Sequence, residues 1–270
     1  MKSKVLGVAL LSVSLGACDL AMSGFHEEAQ DIFDKTYPLS AAGRLEIVNT
    51  NGSIRVDPAE GAQVEIHAER IAHAATQQGA KELLEKSSIK EDVTGDRVHL
   101  DSRVQGGFGH FRGSVEVRYT VRVPAGAIVD LRGTNGRIDA TGLKNQTTLT
   151  TTNGQIVGNK LAGEVHASTT NGGVELELLS VSEDIEASTT NGGISLQIPT
   201  NASADISARV TNGHIGVEGL SAMKADDENS RRRFSGRLNG GGHAIRLSTT
   251  NGGITISGRS GAKSGTGGEQ

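Results

Sequence analysis

Apolar and polar residues alternate through most of this chain, and the alternation is broken at nearly regular intervals by Asn-Gly. In residues 185–198, Ile185, Ala187 and Thr189 share one parity with Asn191, and the apolar set resumes after Gly192-Gly193 at Ile194, Leu196 and Ile198. Residues 165–178 repeat the arrangement, with Val165, Ala167, Thr169 and Asn171 before the corner and Val174, Leu176 and Leu178 after it. A period of two marks a half-buried strand, and the shift of phase at the glycines marks a corner between two strands. The unit recurs around Asn135, Asn153, Asn171, Asn191, Asn212 and Asn251 at steps of 18, 18, 20, 21 and 39 residues, with an earlier copy at Thr50-Asn51-Gly52. Such self-similarity is the mark of stacked supersecondary units, none of which buries its apolar face alone.

Two architectures accommodate the unit. Asn-Gly between alternating strands is a strong hairpin signal and would give an up-and-down antiparallel sheet. A solenoid instead stacks equivalent residues about 4.8 Å apart and so predicts columns of like residues. The chain has these columns, Thr over Thr, Asn over Asn and Ile over Ile. The expected fold class is therefore all-β, a single-stranded right-handed β-solenoid (β-helix-like) repeat with one short N-terminal helix. In this arrangement Asn135, Asn153, Asn171, Asn191, Asn212 and Asn251 form a structural ladder. Their side chains are expected to turn inward, so that Asn171→Ala harms stability more than Thr170→Ala.

The regions before the regular repeats are less uniform. A first strand is expected over residues 32–37, strands flank Asn51-Gly52 at Leu45, Ile47, Ile54 and Val56, and Val64, Ile66 and Ala68 form another. Residues 76–88 predict the one helix, with Thr76 as its cap and Ala80, Leu83, Leu84 and Ser87 on one face. Standing ahead of the repeats, it is expected to cover an open end or side of the stack. Strand patterns follow at Val93, Val98, Leu100 and Val115 to Val123. Between them, Phe108 and Phe111 make an aromatic loop tip that either contacts a partner or tucks onto the core. The expected division is a signal peptide at 1–17, a tether and first strand at 18–40, a β region with the capping helix at 41–124, regular repeats at 125–257 and a disordered tail at 258–270. A charged insertion at about 221–237 interrupts the repeats and accounts for the step of 39 residues.

Composition narrows the function classes. With 37 Gly, 4 Pro, 3% aromatic residues and no Trp, the chain has many corners and thin cores, which a helical bundle would not. A net charge of -4 with interspersed signs gives no basic face for nucleic acid. Lys2 and Lys4, the apolar run from Val5 to Leu15 and Gly16-Ala17 form a secretory signal, too short to span a membrane. Leu15-Gly16-Ala17-Cys18 resembles the bacterial lipobox, in which the cysteine is lipidated, and Cys18 is the only cysteine. Multiple acyl chains would hold the protein stably to a membrane; which membrane is open.

The chemistry-bearing residues are scattered. Eight histidines show no ligand spacing, so no metal site is expected, and no cofactor motif is present. Glu164, Glu175, Glu177, Glu183, Asp184 and Glu186 fall on outward positions, where an enzyme acting on polysaccharide would need them clustered. Arg231, Arg232 and Arg233 follow an acidic run, so they are either an anion contact or a charge-balanced solvated loop. The outward column Thr134, Thr152, Thr170, Thr190, Thr211 and Thr250 could bind ice or glycan, but threonine is also a good strand residue.

The Asn-Gly-x-Ile copies, Leu45-Glu46-Ile47, Val121-Arg122-Val123-Pro124 and the Arg233-Phe234-Ser235-Gly236 segment running to Gly242 together resemble the DUF4097 family over residues 45–256. The resemblance implies a β-solenoid of the bacterial cell envelope, in a family often labelled as adhesins and defining no catalytic residues. Some relatives are associated with envelope-stress systems, which adds a regulatory alternative. The expected function is a lipid-anchored, non-catalytic binding, adhesion or scaffolding module whose partner is an envelope protein or glycan. A polysaccharide-acting enzyme on the same scaffold is the other reading.

Overall fold

The computed structural model describes residues 27–103, 113–225 and 230–259. Strands β1 (Glu27–Pro38), β2 (Arg44–Asn51), β3 (Ile54–Ala59) and β4 (Gln63–Ala74) precede helix α1 (Gln77–Lys86). Next come β5 (Lys90–Thr94), β6 (Arg97–Asp101), β7 (Gly113–Pro124), β8 (Ile128–Asn135), β9 (Ile138–Thr141), β10 (Thr147–Asn153) and β11 (Ile156–Leu161). The chain continues through β12 (Val165–Asn171), β13 (Val174–Leu178), β14 (Ile185–Asn191), β15 (Ile194–Pro199), β16 (Ala204–Asn212) and β17 (Ile215–Glu218). It closes with β18 (Met223–Ala225), β19 (Arg233–Leu238), β20 (His243–Asn251) and β21 (Ile254–Arg259).

The strands form two facing sheets. One has the order β1-β4-β7-β3-β9-β11-β13-β15-β21-β17, the other β18-β19-β16-β20-β14-β12-β10-β8-β2-β6-β5. Each coil puts one strand in the second sheet, turns at Asn-Gly and puts the next strand in the first, so the fold is a β-solenoid flattened into two layers. Neighbouring coils pair in parallel with like residues opposed, as Thr151, Thr169, Thr189 and Thr249 are, and Ile156, Val174, Ile194 and Ile254. The hairpin alternative fails because the strands flanking each repeat Asn-Gly, from Asn51 to Asn251, lie in different sheets, and β19 and β20 around Asn239-Gly240 are separated by β16. Alternate Ile, Leu, Val and Ala side chains from both layers fill one continuous core, with Leu149, Ile156, Val165, Ile185 and Leu196 fully buried.

The order of coils along the stack differs from their order in the chain. The β20–β21 coil lies between β14–β15 and β16–β17, and the β2–β3 coil lies between β8–β9 and the β6 and β7 strands. The edge strands are β1 and β17 in the first sheet and β18 and β5 in the second.

The irregular N-terminal part extends the stack at one end. Antiparallel β1, β4 and β7 extend the first sheet, and α1 packs across all three with Ala80, Leu83 and Leu84 buried. The Thr76 hydroxyl accepts from Gly79 N at 3.1 Å, capping the helix as expected. Arg70 of β4 ties the assembly together. Its guanidinium pairs with Asp31 of β1, and its Nη1 donates to the carbonyls of Ser87 at 2.9 Å and Leu84 at 3.3 Å. Removing it leaves a carboxylate and two helix-terminal carbonyls without this donor. Arg70→Ala is expected to cost about 2 to 3 kcal/mol in urea denaturation, with Arg70→Lys intermediate because it keeps charge without the planar fork.

Three expectations are corrected. The strand at the start of the chain begins at Glu27, not near residue 32, because it pairs through its backbone along all of β4 and needs little apolar patterning. The charged insertion at 221–237 contains an antiparallel hairpin, β18–β19, added to β16, and is not a bare loop. Gly258 and Arg259 belong to β21, where the Arg259 Nη1 donates to Glu177 Oε1 at 2.7 Å. The signal segment with Cys18, the Phe108 and Phe111 tip and residues 260–270 lie outside the described residues.

Candidate binding edge at the asparagine corners

The corners align along one edge of the solenoid. Each Asn side-chain amide donates to the Asn carbonyl oxygen of the next coil: Asn212 to Asn251, Asn191 to Asn171, Asn171 to Asn153, Asn153 to Asn135 and Asn135 to Asn51, all at 2.8 Å, and Asn251 to Asn191 at 2.9 Å. Asn51 ends the row by donating to the backbone carbonyl of Val115 at 3.1 Å. The amides do not face inward. All six repeat asparagines are exposed, because the inside-outside alternation breaks at the last two residues of each strand, so that Thr190 and Asn191 at the end of β14 both face outward.

The inward position belongs to the first threonine of each Thr-Thr pair. The hydroxyls of Thr169, Thr189 and Thr249 donate to the carbonyls of Gly154, Gly172 and Gly192 at 2.9 to 3.0 Å, and Thr151 reaches Gly136 at 3.3 Å. At Asn49 the same column holds a buried amide. Its Nδ2 donates to Gly52 O at 3.1 Å and Val117 O at 2.8 Å, and its Oδ1 accepts from Ser102 Oγ at 2.8 Å. Sequence reading missed Asn49, although the signal was present in the departure of Asn49-Thr50-Asn51-Gly52 from Thr-Thr-Asn-Gly.

Since the ladder is wetted, each bond in it contributes little beyond what water would supply. Asn171→Ala is expected to cost under about 1 kcal/mol, a difference readable from urea midpoints, and Thr169→Val a similar or larger amount because its hydroxyl is buried.

Where the ladder ends at Asn51, an open groove of about 510 Å³ forms along the edge. It is lined by Asn51, Ser53, His73, Ser114, Asn135 and Arg137 together with Glu116. These groups come from β2, β4, β7 and the corners and are fixed on paired backbone. Arg137 is held by Asp139 at 2.7 Å and by the Gln155 side chain at 2.8 Å, and Glu116 accepts from Arg118 at 2.7 Å. That hydrogen bond raises the Arg118 pKa above its ordinary value. The groove thus offers fixed amide, hydroxyl, imidazole and guanidinium groups, a polar recognition surface.

The arginine triplet lies at the opposite end. The Arg231 and Arg232 carbonyls accept from Ile215 N at 3.0 Å and Val210 N at 2.9 Å, which places them beside the Asn212 coil, and all three side chains are exposed. Of the carboxylates singled out in the sequence, Glu164 and Glu186 flank the same His166 ring at 2.7 Å and 3.5 Å, while Glu175 meets Gln155 at 2.8 Å and Asp184 meets Arg246 at 3.1 Å. Among the described residues no group of three His, Cys, Asp or Glu side chains is placed to hold a metal ion.

The Toastrack DUF4097 family model matches residues 45–257. A search of curated proteins gives no match. Among solved structures, a candidate cell adhesion protein from Clostridium sporogenes is similar at a TM-score of 0.42 and 10% identity, over 85% of this chain and 100% of that one. A candidate adhesin from Bacteroides fragilis is similar at a TM-score of 0.30 and 9% identity, over 85% of this chain and 97% of that one.

Proposed function

From a chain that belongs to the Toastrack DUF4097 family, we propose a non-catalytic binding module of the bacterial cell envelope, held to a membrane by lipid on Cys18. The observation that supports binding is the asparagine edge with its terminal groove. Each amide within the row donates one N–H to one neighbour and accepts at its oxygen from the other, leaving its second N–H and the oxygen's remaining lone pair on an exposed edge. The groups around the groove are pinned to strands, so recognition there needs little reorganisation. The partner in this reading is an envelope protein or a glycan, met through hydrogen bonds. Among the described residues no helix is long and apolar enough to cross a membrane, and the lipobox at Cys18 is the attachment point in this proposal.

The test is photo-crosslinking in native envelopes from probes at Ser53, Ser114 and Arg137, with a probe at exposed Glu60 as the control. One partner captured from the groove positions and not from the control is the expected result. Equal capture from both positions, or turnover of envelope polysaccharide by the purified protein, would overturn the reading. Separately, Cys18→Ser is expected to move the protein from the membrane to the soluble fraction; retention in the membrane would refute the lipid anchor.

A further inference from the structure

We propose that the β20–β21 coil is an exchangeable insert, and that two copies of this chain pair by trading it. The coil occupies a slot between segments that precede it in the sequence. On one side it pairs with β14 and β15, Asn251 opposite Asn191 and Ile254 opposite Ile194, and on the other with β16 and β17, Asn251 opposite Asn212 and Ile254 opposite Ile215. The described stack is joined to the coil through one connection, Asn239-Gly240-Gly241-Gly242.

The slot is degenerate in a way that an ordinary strand site is not. Its walls carry Ile185, Ala187 and Thr189 on one side and Ile206, Ala208 and Val210 on the other, and the insert carries Ile245, Leu247 and Thr249 between them. With the insert out, β16–β17 can stack on β14–β15 in the same register, Asn212 over Asn191. The corner glycines allow this too, because Gly213 and Gly252 each make the close carbonyl approach that the column requires. An emptied slot therefore has a closed alternative, and the insert finds an identical slot in a second copy.

The connection is built as a hinge. Asn239 at φ 48°, Gly240 at φ 91° and Gly241 at φ 92° all lie in the left-handed region. Asn239 Nδ2 donates to the carbonyls of Thr200 at 2.9 Å and Ala202 at 2.7 Å, fixing the turn at the mouth of the slot. Beyond it, Asp184 latches the insert by accepting from Ala244 N at 2.9 Å and Arg246 Nη1 at 3.1 Å. A traded insert remakes the Asp184 bonds in the partner, so exchange changes only the hinge path, the condition under which domain swapping is cheap.

Ser188 and Ser248 are opposed across the β14–β20 pair, at a spacing that a disulfide can span. In the full chain carrying Cys18→Ser, Ser188→Cys and Ser248→Cys are made as separate variants and co-refolded at high concentration under mild oxidation. The expected result is a covalent dimer in the mixture that neither variant forms alone. The double variant, Ser188→Cys with Ser248→Cys in one chain, checks that the positions can bond. If it bonds within the chain and the mixture gives no dimer, the proposal is overturned, as it is if either variant alone dimerises as much as the mixture. Should the double variant not bond, light scattering of the unmodified refolded chain decides: a dimer that persists on dilution supports exchange, and monomer alone at every concentration refutes it.

Discussion

Gly172→Ala is expected to destabilise the protein by more than about 3 kcal/mol, enough to lower its melting temperature by roughly 10 °C. A Cβ at position 172 would stand 2.0 Å from the Gly154 carbonyl oxygen, inside any tolerable contact. The obstruction is backbone of the next coil, itself held by Gly154 N donating to Asn171 O at 3.0 Å, so it cannot rotate aside as a side chain would. The adjacent Gly173 is the internal control. A Cβ there meets only the Gly193 carbonyl oxygen at 3.5 Å, an ordinary contact, and Gly173→Ala should leave stability unchanged or raise it by about 0.5 kcal/mol through a less flexible unfolded chain. Differential scanning calorimetry on the two variants checks both. Equal melting temperatures would show that coil spacing at the corner is not set by this contact.

The second large effect is expected at Asn49. Asn49→Ala should cost about 3 kcal/mol in chemical denaturation, because it strips hydrogen bonds from the Gly52 and Val117 carbonyls and from the Ser102 hydroxyl in a buried site. Asn49 is 2% exposed, so water does not replace what is lost. Asn49→Thr restores one hydroxyl in a column built for it and should recover part of the loss, whereas Asn51→Ala, on the wetted ladder, should cost far less. A loss at Asn51 as large as that at Asn49 would contradict the division between buried and wetted columns.

These two residues mark the limit of what could be read from the chain. Alternation and repeated corners specify strands, solenoid and core columns, because a period of two with like residues every coil leaves few ways to bury Ile156, Val174, Ile194 and Ile254 together. The helix was legible down to Thr76, since capping is a local property. Three things were not. The outward turn of the asparagines depends on the corner geometry, which breaks parity one residue before the glycine. The order of coils is hidden by the repetition itself, for when every coil offers the same faces, nothing in its residues says which coil is its neighbour. The groove combines His73 of β4 with Ser114 of β7 and Arg137 between β8 and β9, and that juxtaposition follows from long antiparallel pairing that no short motif encodes.

The asparagine row also has a direction. Every amide in it donates toward the coil nearer α1, so the small dipoles of the side chains add, with the positive pole at Asn51 and the negative pole at Asn212. The arginine-bearing segment stands beside the negative pole. The edge thus works as a vector along the solenoid's length, and a linear partner laid against it would meet donors and acceptors in an order that differs between its two orientations.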